Sequence, residues 1–137
     1  MIVALAMIAL IGVQDRPAWT WTLYEGDTVV LAQEVPDTPR LSVTFECLPG
    51  SSVARLTFYE GRGGVPGPAR VTAGEAAAPV ELEARPRALA LRTDHPVFTA
   101  FAARGRMAVT TGDADTMIDV ETTHIDKLRR FVALCSG

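Results

Sequence analysis

The chain carries two cysteines, Cys47 and Cys135, and the residues around each dictate where it points. In "RLSVTFECL", residues 40 to 48, Leu41, Val43, Phe45 and Cys47 alternate with Ser42, Thr44 and Glu46. A strand sends successive side chains to opposite faces, so Cys47 belongs to the apolar face. Near the other end, Ile125, Leu128, Phe131, Val132 and Cys135 recur at steps of three or four, which is one stripe of a helix. Both cysteines therefore face the core, one from a sheet and one from the last helix. In an oxidising compartment they pair, and the bridge staples that helix to the sheet. A bridge closing so long a loop contributes roughly 4 to 5 kcal/mol. In a reducing compartment the same residues are two separate buried thiols. Their separation rules out a CxxC redox or zinc motif.

The first residues speak to the compartment. "MIVALAMIALIGV" has no charge and no proline, and it ends abruptly at Gln14-Asp15-Arg16-Pro17. It is shorter than the ~20 apolar residues of a membrane-spanning helix. It has the length of the apolar part of a secretory leader, although no Lys or Arg precedes it. The expectation is a cleaved export signal over residues 1–14 and one globular domain over 15–137, in the periplasm or secreted. A buried N-terminal element and an uncleaved tether are the alternatives. The net charge of −3, with signs intermixed, leaves no basic stripe for a nucleic acid. No stable membrane span is expected once the leader is removed.

Beyond the leader the pattern is mostly strand. Trp19, Trp21 and Leu23 alternate with Thr20, Thr22 and Tyr24, and a second strand follows over Thr28 to Val35. Residues 40–59 predict a β-hairpin turning at Pro49 to Ser52. "EGRGGVPGPA", Glu60 to Ala69, predicts a long loop. Short strands are expected near Arg70–Ala73, Val80–Ala84 and Ala88–Thr93. Asp94 is placed to cap a short helix that has Pro96 in its first turn and stops at Gly105. A second hairpin turns at Gly112 to Asp115. Thr123 and Asp126 resemble a capping box that opens the last helix. The fold class predicted is α+β, mainly β: an antiparallel sheet, or a partly open barrel or sandwich, with one short helix and a disulfide-tied C-terminal helix.

Residues for chemistry are few. Asp94 and His95 are half of a catalytic relay by type, but neighbours in sequence rarely present side chains to one another in that way. Asp113, Asp115 and Asp119 lack the glycine and terminal glutamate of a calcium loop and read as a polar hairpin. His124 and Asp126 do not make a metal site by themselves. Ser42, Ser51 and Ser52 sit in no nucleophile elbow, and Glu81 and Glu83 read as the solvated face of a strand. No catalytic residue, metal or cofactor is assigned. Trp19 and Trp21 are the candidate binding residues: core if buried, an interaction patch if exposed.

The Trp strand, then "LAQEVPDTPRLSVTFEC", "LRTDHPVFTAFAARGRMAVTTG" and the closing "KLRRFVALC" lie in order behind the apolar leader. Together they resemble a group of small exported two-cysteine proteins of Alphaproteobacteria, over nearly all of the mature chain. The shared markers are of layout: the Trp strand, the cysteine of the third strand and the cysteine closing the last helix. The resemblance implies compartment and fold, and no activity. The expectation for function is a periplasmic or secreted binding module of the cell envelope, whose partner is another envelope or secreted protein. A small hydrolase using Asp94 and His95 or the aspartates, and a structural envelope component, are the competing readings.

Overall fold

The computed structural model describes residues 18–112 and 114–137. The expected leader lies outside these residues, and so does Asp113. The strands are β1 (Thr20–Tyr24), β2 (Val29–Glu34), β3 (Leu41–Cys47), β4 (Val53–Phe58), β5 (Gly67–Ala73), β6 (Ala76–Leu82), β7 (Ala88–Arg92), β8 (Arg106–Thr111) and β9 (Ala114–Asp119). The helices are α1 (Pro96–Arg104) and α2 (Ile125–Ser136). One sheet has the order β1-β2-β3-β4-β7 and the other β6-β5-β8-β9, with every pairing antiparallel. The predicted fold class is therefore the observed one.

Register explains why the first sheet has an inside. Leu23, Leu31, Phe45, Leu56 and Leu89 lie opposite one another across its five strands. The next row, on the other face, is Thr22, Ala32, Thr44, Thr57 and Ala88. Large apolar groups thus fill one face, and the other carries small groups in this row and Tyr24, Glu46 and Arg55 in the next, as a period of two allows. Helix α2 packs against β1, β2 and β4, and α1 against β5, β6 and β8. The two helices also touch one another. Phe45 is the centre of this packing. Its ring lies 5.5 to 6.2 Å, centroid to centroid, from Trp21, Phe98, Phe101 and Phe131. Aromatic pairs at that separation add about 0.5–1.5 kcal/mol each beyond their buried area.

The disulfide joins Cys47 of β3 to Cys135 of α2, with Cα atoms 5.9 Å apart. The β3–β4 turn also caps the helix. Gly50 N–H donates to the Leu134 carbonyl at 3.0 Å, and Ser52 N–H to the Cys135 carbonyl at 2.8 Å. These carbonyls belong to the last turn and have no partner within the helix. Covalent bond and cap therefore converge on one spot, and Cys135 is the staple expected from its stripe.

Several local expectations are corrected. His95, not Asp94, caps α1: its Nδ1 accepts from Val97 N–H at 3.1 Å. Asp94 is drawn away by Arg92, whose Nε and Nη2 donate to its two carboxylate oxygens at 2.9 and 2.8 Å. The capping box at Thr123 and Asp126 does not form. A 3-10 turn over Thr122–His124 leads into α2 instead, and His124 stands at the cap without a side-chain bond. Strand β5 begins at Gly67, inside the stretch expected to be loop, and β6 lies at Ala76–Leu82 rather than Val80–Ala84. Gly105 does stop α1, with φ at 75° and its N–H on the Phe101 carbonyl.

Candidate binding cleft

The sheets join along one margin and stay apart along the other. Where β6 runs on to β7, Glu83 N–H donates to the Ala88 carbonyl at 2.8 Å. At the opposite margin, β1 and β9 are the last strands of their sheets among the described residues and share no ladder. Side chains bridge this seam. Trp21 Nε1 donates to the Asp119 carbonyl at 3.0 Å, while Lys127 Nζ of α2 ties the helix to β1 through the Trp21 carbonyl at 2.6 Å. Arg62, from the glycine-rich loop, donates through Nη1 to Ser42 Oγ and through Nη2 to the Met117 carbonyl, the latter at 2.8 Å. The edge of β9 is thus covered by an indole and a guanidinium instead of a strand, which also blunts it against pairing with another chain.

A cleft of about 520 Å³ opens at one end of this seam, lined by Trp19, Gln33, Arg40, Ser42, Glu60, Arg62, Met117, Asp119 and Glu121. Its volume falls within the range of ligand sites. The two tryptophans divide the work. Trp21 is 1% exposed and belongs to the core, whereas Trp19, one pleat further out, is half-buried and lines the cleft. The Arg40 guanidinium lies 5.1 Å from the centroid of the Trp19 ring. It also grips Glu60 through two bonds, Nε to Oε1 at 2.8 Å and Nη2 to Oε2 at 3.0 Å. That hydrogen-bonded pairing holds the Glu60 carboxyl below the usual carboxylate range and raises Arg40.

The loop holding Glu60 and Arg62 is fixed from below. Gly63 is buried, and a Cβ there would come within 2.8 Å of the Phe58 ring and 2.9 Å of Arg87 Cγ. The Arg87 guanidinium donates to the Gly64 carbonyl.

A second recess, of about 600 Å³, lies across β5, β8 and β9 and shares Met117, Asp119 and Glu121 with the first. Its other walls include Arg104, Arg106 and Thr72. It has no aromatic side chain, and Arg106 Nε is bound to Asp119 Oδ1 at 2.9 Å. The cleft at Trp19 is the better binding surface because it joins an aromatic face to the Arg62 guanidinium, which has no carboxylate partner among the described residues.

The other residues singled out from the sequence are dispersed. Asp94 lines a separate recess beside α1 with Glu75, Thr99 and Arg104, while the Nδ1 of His95 is spent on its cap. Asp115 accepts from Thr110 Oγ1 at 2.6 Å, and Asp119 is paired with Arg106. Glu83 is paired with Arg55. His124 and Asp126 stand at the start of α2, and no group of three metal-ligating side chains gathers among the described residues. No described helix is long and apolar enough to cross a membrane. Arg40, Gln33, Arg62 and Met117 were not legible as site residues: pairing of β1 with β2 and the β2–β3 turn bring Gln33 and Arg40 beside Trp19, and closure of the seam adds Met117, tied to Arg62. No protein-family model, curated protein or solved structure matches the chain.

Proposed function

We propose that this protein is an exported, non-catalytic binding module of the cell envelope, and that the Trp19 cleft is its binding surface. One observation carries the reading. Trp19, just before β1, and Glu60 and Arg62, from the glycine-rich loop, line a single cleft. A half-buried tryptophan beside arginines is the composition of interaction hot spots. The buried disulfide fits an oxidising compartment, as does the apolar leader. The partner is another envelope or secreted protein, met by a rigid sheet edge and a fixed loop rather than by a mobile arm.

The test is a crosslinked pull-down of the tagged protein from envelope fractions, run beside Trp19→Ala. One stoichiometric partner, lost in the variant while its thermal unfolding is unchanged, supports the reading. Equal capture by both proteins removes the cleft from the interaction.

A further inference from the structure

We infer that the cleft anchors its partner through a carboxylate taken by Arg62, with the Trp19 ring and Met117 holding the apolar residue beside it; the inference rests on the cleft being the binding surface. Arg62 is half-buried, and both acceptors it reaches, Ser42 Oγ and the Met117 carbonyl, are neutral. It makes no ion pair among the described residues. A guanidinium has more N–H donors than these two contacts use, and its planar fork suits a carboxylate. A partly desolvated cation without a counter-charge gains more from an incoming anion than an exposed one does.

Two other carboxylates of the cleft are already paired and do not compete with that anion for Arg62, and Arg40 is likewise engaged. Glu60 is held by Arg40, and Asp119 by Arg106. Glu121 remains, exposed and without an ion pair among the described residues. The two unmatched charges are therefore one positive and one negative. A segment rich in acid would meet repulsion from Glu121, so the matching segment carries one carboxylate and one basic group with an apolar residue between them. Its apolar residue has a place to go, because Met117 is 44% exposed and shares the cleft with Trp19.

The experiment titrates the full chain, labelled with ¹⁵N, with two acetylated, amidated tripeptides: Glu-Leu-Lys and Lys-Leu-Glu. Two orders are used because either chain direction is open. Each is compared with its isostere in which Gln replaces Glu, and chitotriose is run in parallel. The expected result is a shift of the Arg62 Nε–H and Trp19 indole signals with at least one Glu peptide. Affinity should fall about tenfold or more with its Gln isostere. Arg62→Gln should abolish the difference between the two peptides, and Arg62→Lys should restore part of it. Equal response to the Glu and Gln peptides, or no response to any peptide, overturns the inference. A Trp19 response to chitotriose alone also overturns it and assigns the cleft to a saccharide. In those cases the binding-module reading still stands if Trp19→Ala abolishes partner capture. Because the Glu and Gln peptides are compared on the unaltered protein, the result survives even if an Arg62 variant folds poorly.

Discussion

The indole N–H of Trp21 donates to the main-chain carbonyl of Asp119 at 3.0 Å, joining β1 and β9, the outermost described strands of two sheets that share no ladder there. One side chain therefore both fills the core against Phe45 and latches the open margin. Trp21→Phe keeps most of the apolar volume and removes the donor. It should cost about 0.5–1.5 kcal/mol, the net contribution of a typical hydrogen bond, since the bond is only partly buried. Trp21→Ala should cost about 3–5 kcal/mol, since the cavity adds to the lost bond. Urea unfolding of both variants checks this. A Trp21→Phe protein as stable as the parent would show that the latch contributes nothing.

The disulfide closes a separation of 88 residues. On the chain-entropy relation a loop of that length is worth about 4–5 kcal/mol. The Gly50 and Ser52 caps on the last carbonyls of α2 should persist without it. The double variant Cys47→Ala, Cys135→Ala is therefore expected to lose about 2–5 kcal/mol yet keep the helix docked at low temperature. Denaturation with and without reductant gives the first number. Hydrogen exchange at Gly50 and Ser52 gives the second: fast exchange at both would mean that the covalent bond alone holds the helix.

The staple was legible because both of its cysteines sit in strong periodic patterns, alternation before Cys47 and a helical stripe before Cys135. The same is true of the two hairpins, β3–β4 and β8–β9. Caps were less legible. Asp94 and His95 are adjacent candidates, and the choice between them is made by Arg92, which captures the aspartate. The cleft was only half legible. Trp19 and the glycine-rich loop stand out in the sequence, but nothing local says that they meet. Their meeting depends on contacts between residues such as Arg62 and Met117, separated by 55 positions.

Gly64 has φ at +81°, and a Cβ there would overlap the hydroxyl of Thr111, a residue that is 2% exposed. Left-handed backbone costs a residue with a Cβ about 1–2 kcal/mol. Crowding a packed site adds about 1–3 kcal/mol. Gly64→Ala should therefore destabilise by about 2–5 kcal/mol and shift the loop that carries Arg62. Gly61 has a similar φ of +75° but open space around its Cβ position, so Gly61→Ala should show the backbone cost alone. Thermal or urea unfolding of the pair separates the two effects. Equal losses would mean that the Thr111 contact relaxes freely.

Capping of α1 by His95 makes a narrower prediction. Its Nδ1 accepts the Val97 N–H, one of the unpaired donors of the first turn. His95→Ala should cost about 1 kcal/mol and His95→Asn much less, because an amide oxygen can take the same donor. Asp94→Ala should have a smaller effect than His95→Ala, since Asp94 is exposed and engaged with Arg92. Urea midpoints of the three variants rank them, and a larger loss at Asp94 than at His95 would return the cap to the aspartate.

The Arg40–Glu60 pair gives the cleft a pH dependence whose sign is fixed. The hydrogen bonds from Arg40 hold Glu60 below the usual carboxylate range, so folding favours its charged form. The stabilisation is present above the ordinary carboxylate pKa and disappears as pH falls through the lowered folded value. Protonating Glu60 frees the Arg40 guanidinium, which lies over the Trp19 ring, without changing its charge. Side-chain NMR titration of Glu60 should give a midpoint below that of an unpaired glutamate, and Arg40→Gln should move it upward. Trp19 fluorescence should change over the same acidic interval and not near neutral pH. A Glu60 midpoint unmoved by Arg40→Gln would mean that the pair does not persist in solution, leaving Arg40 free at neutral pH to compete with Arg62 for an incoming carboxylate.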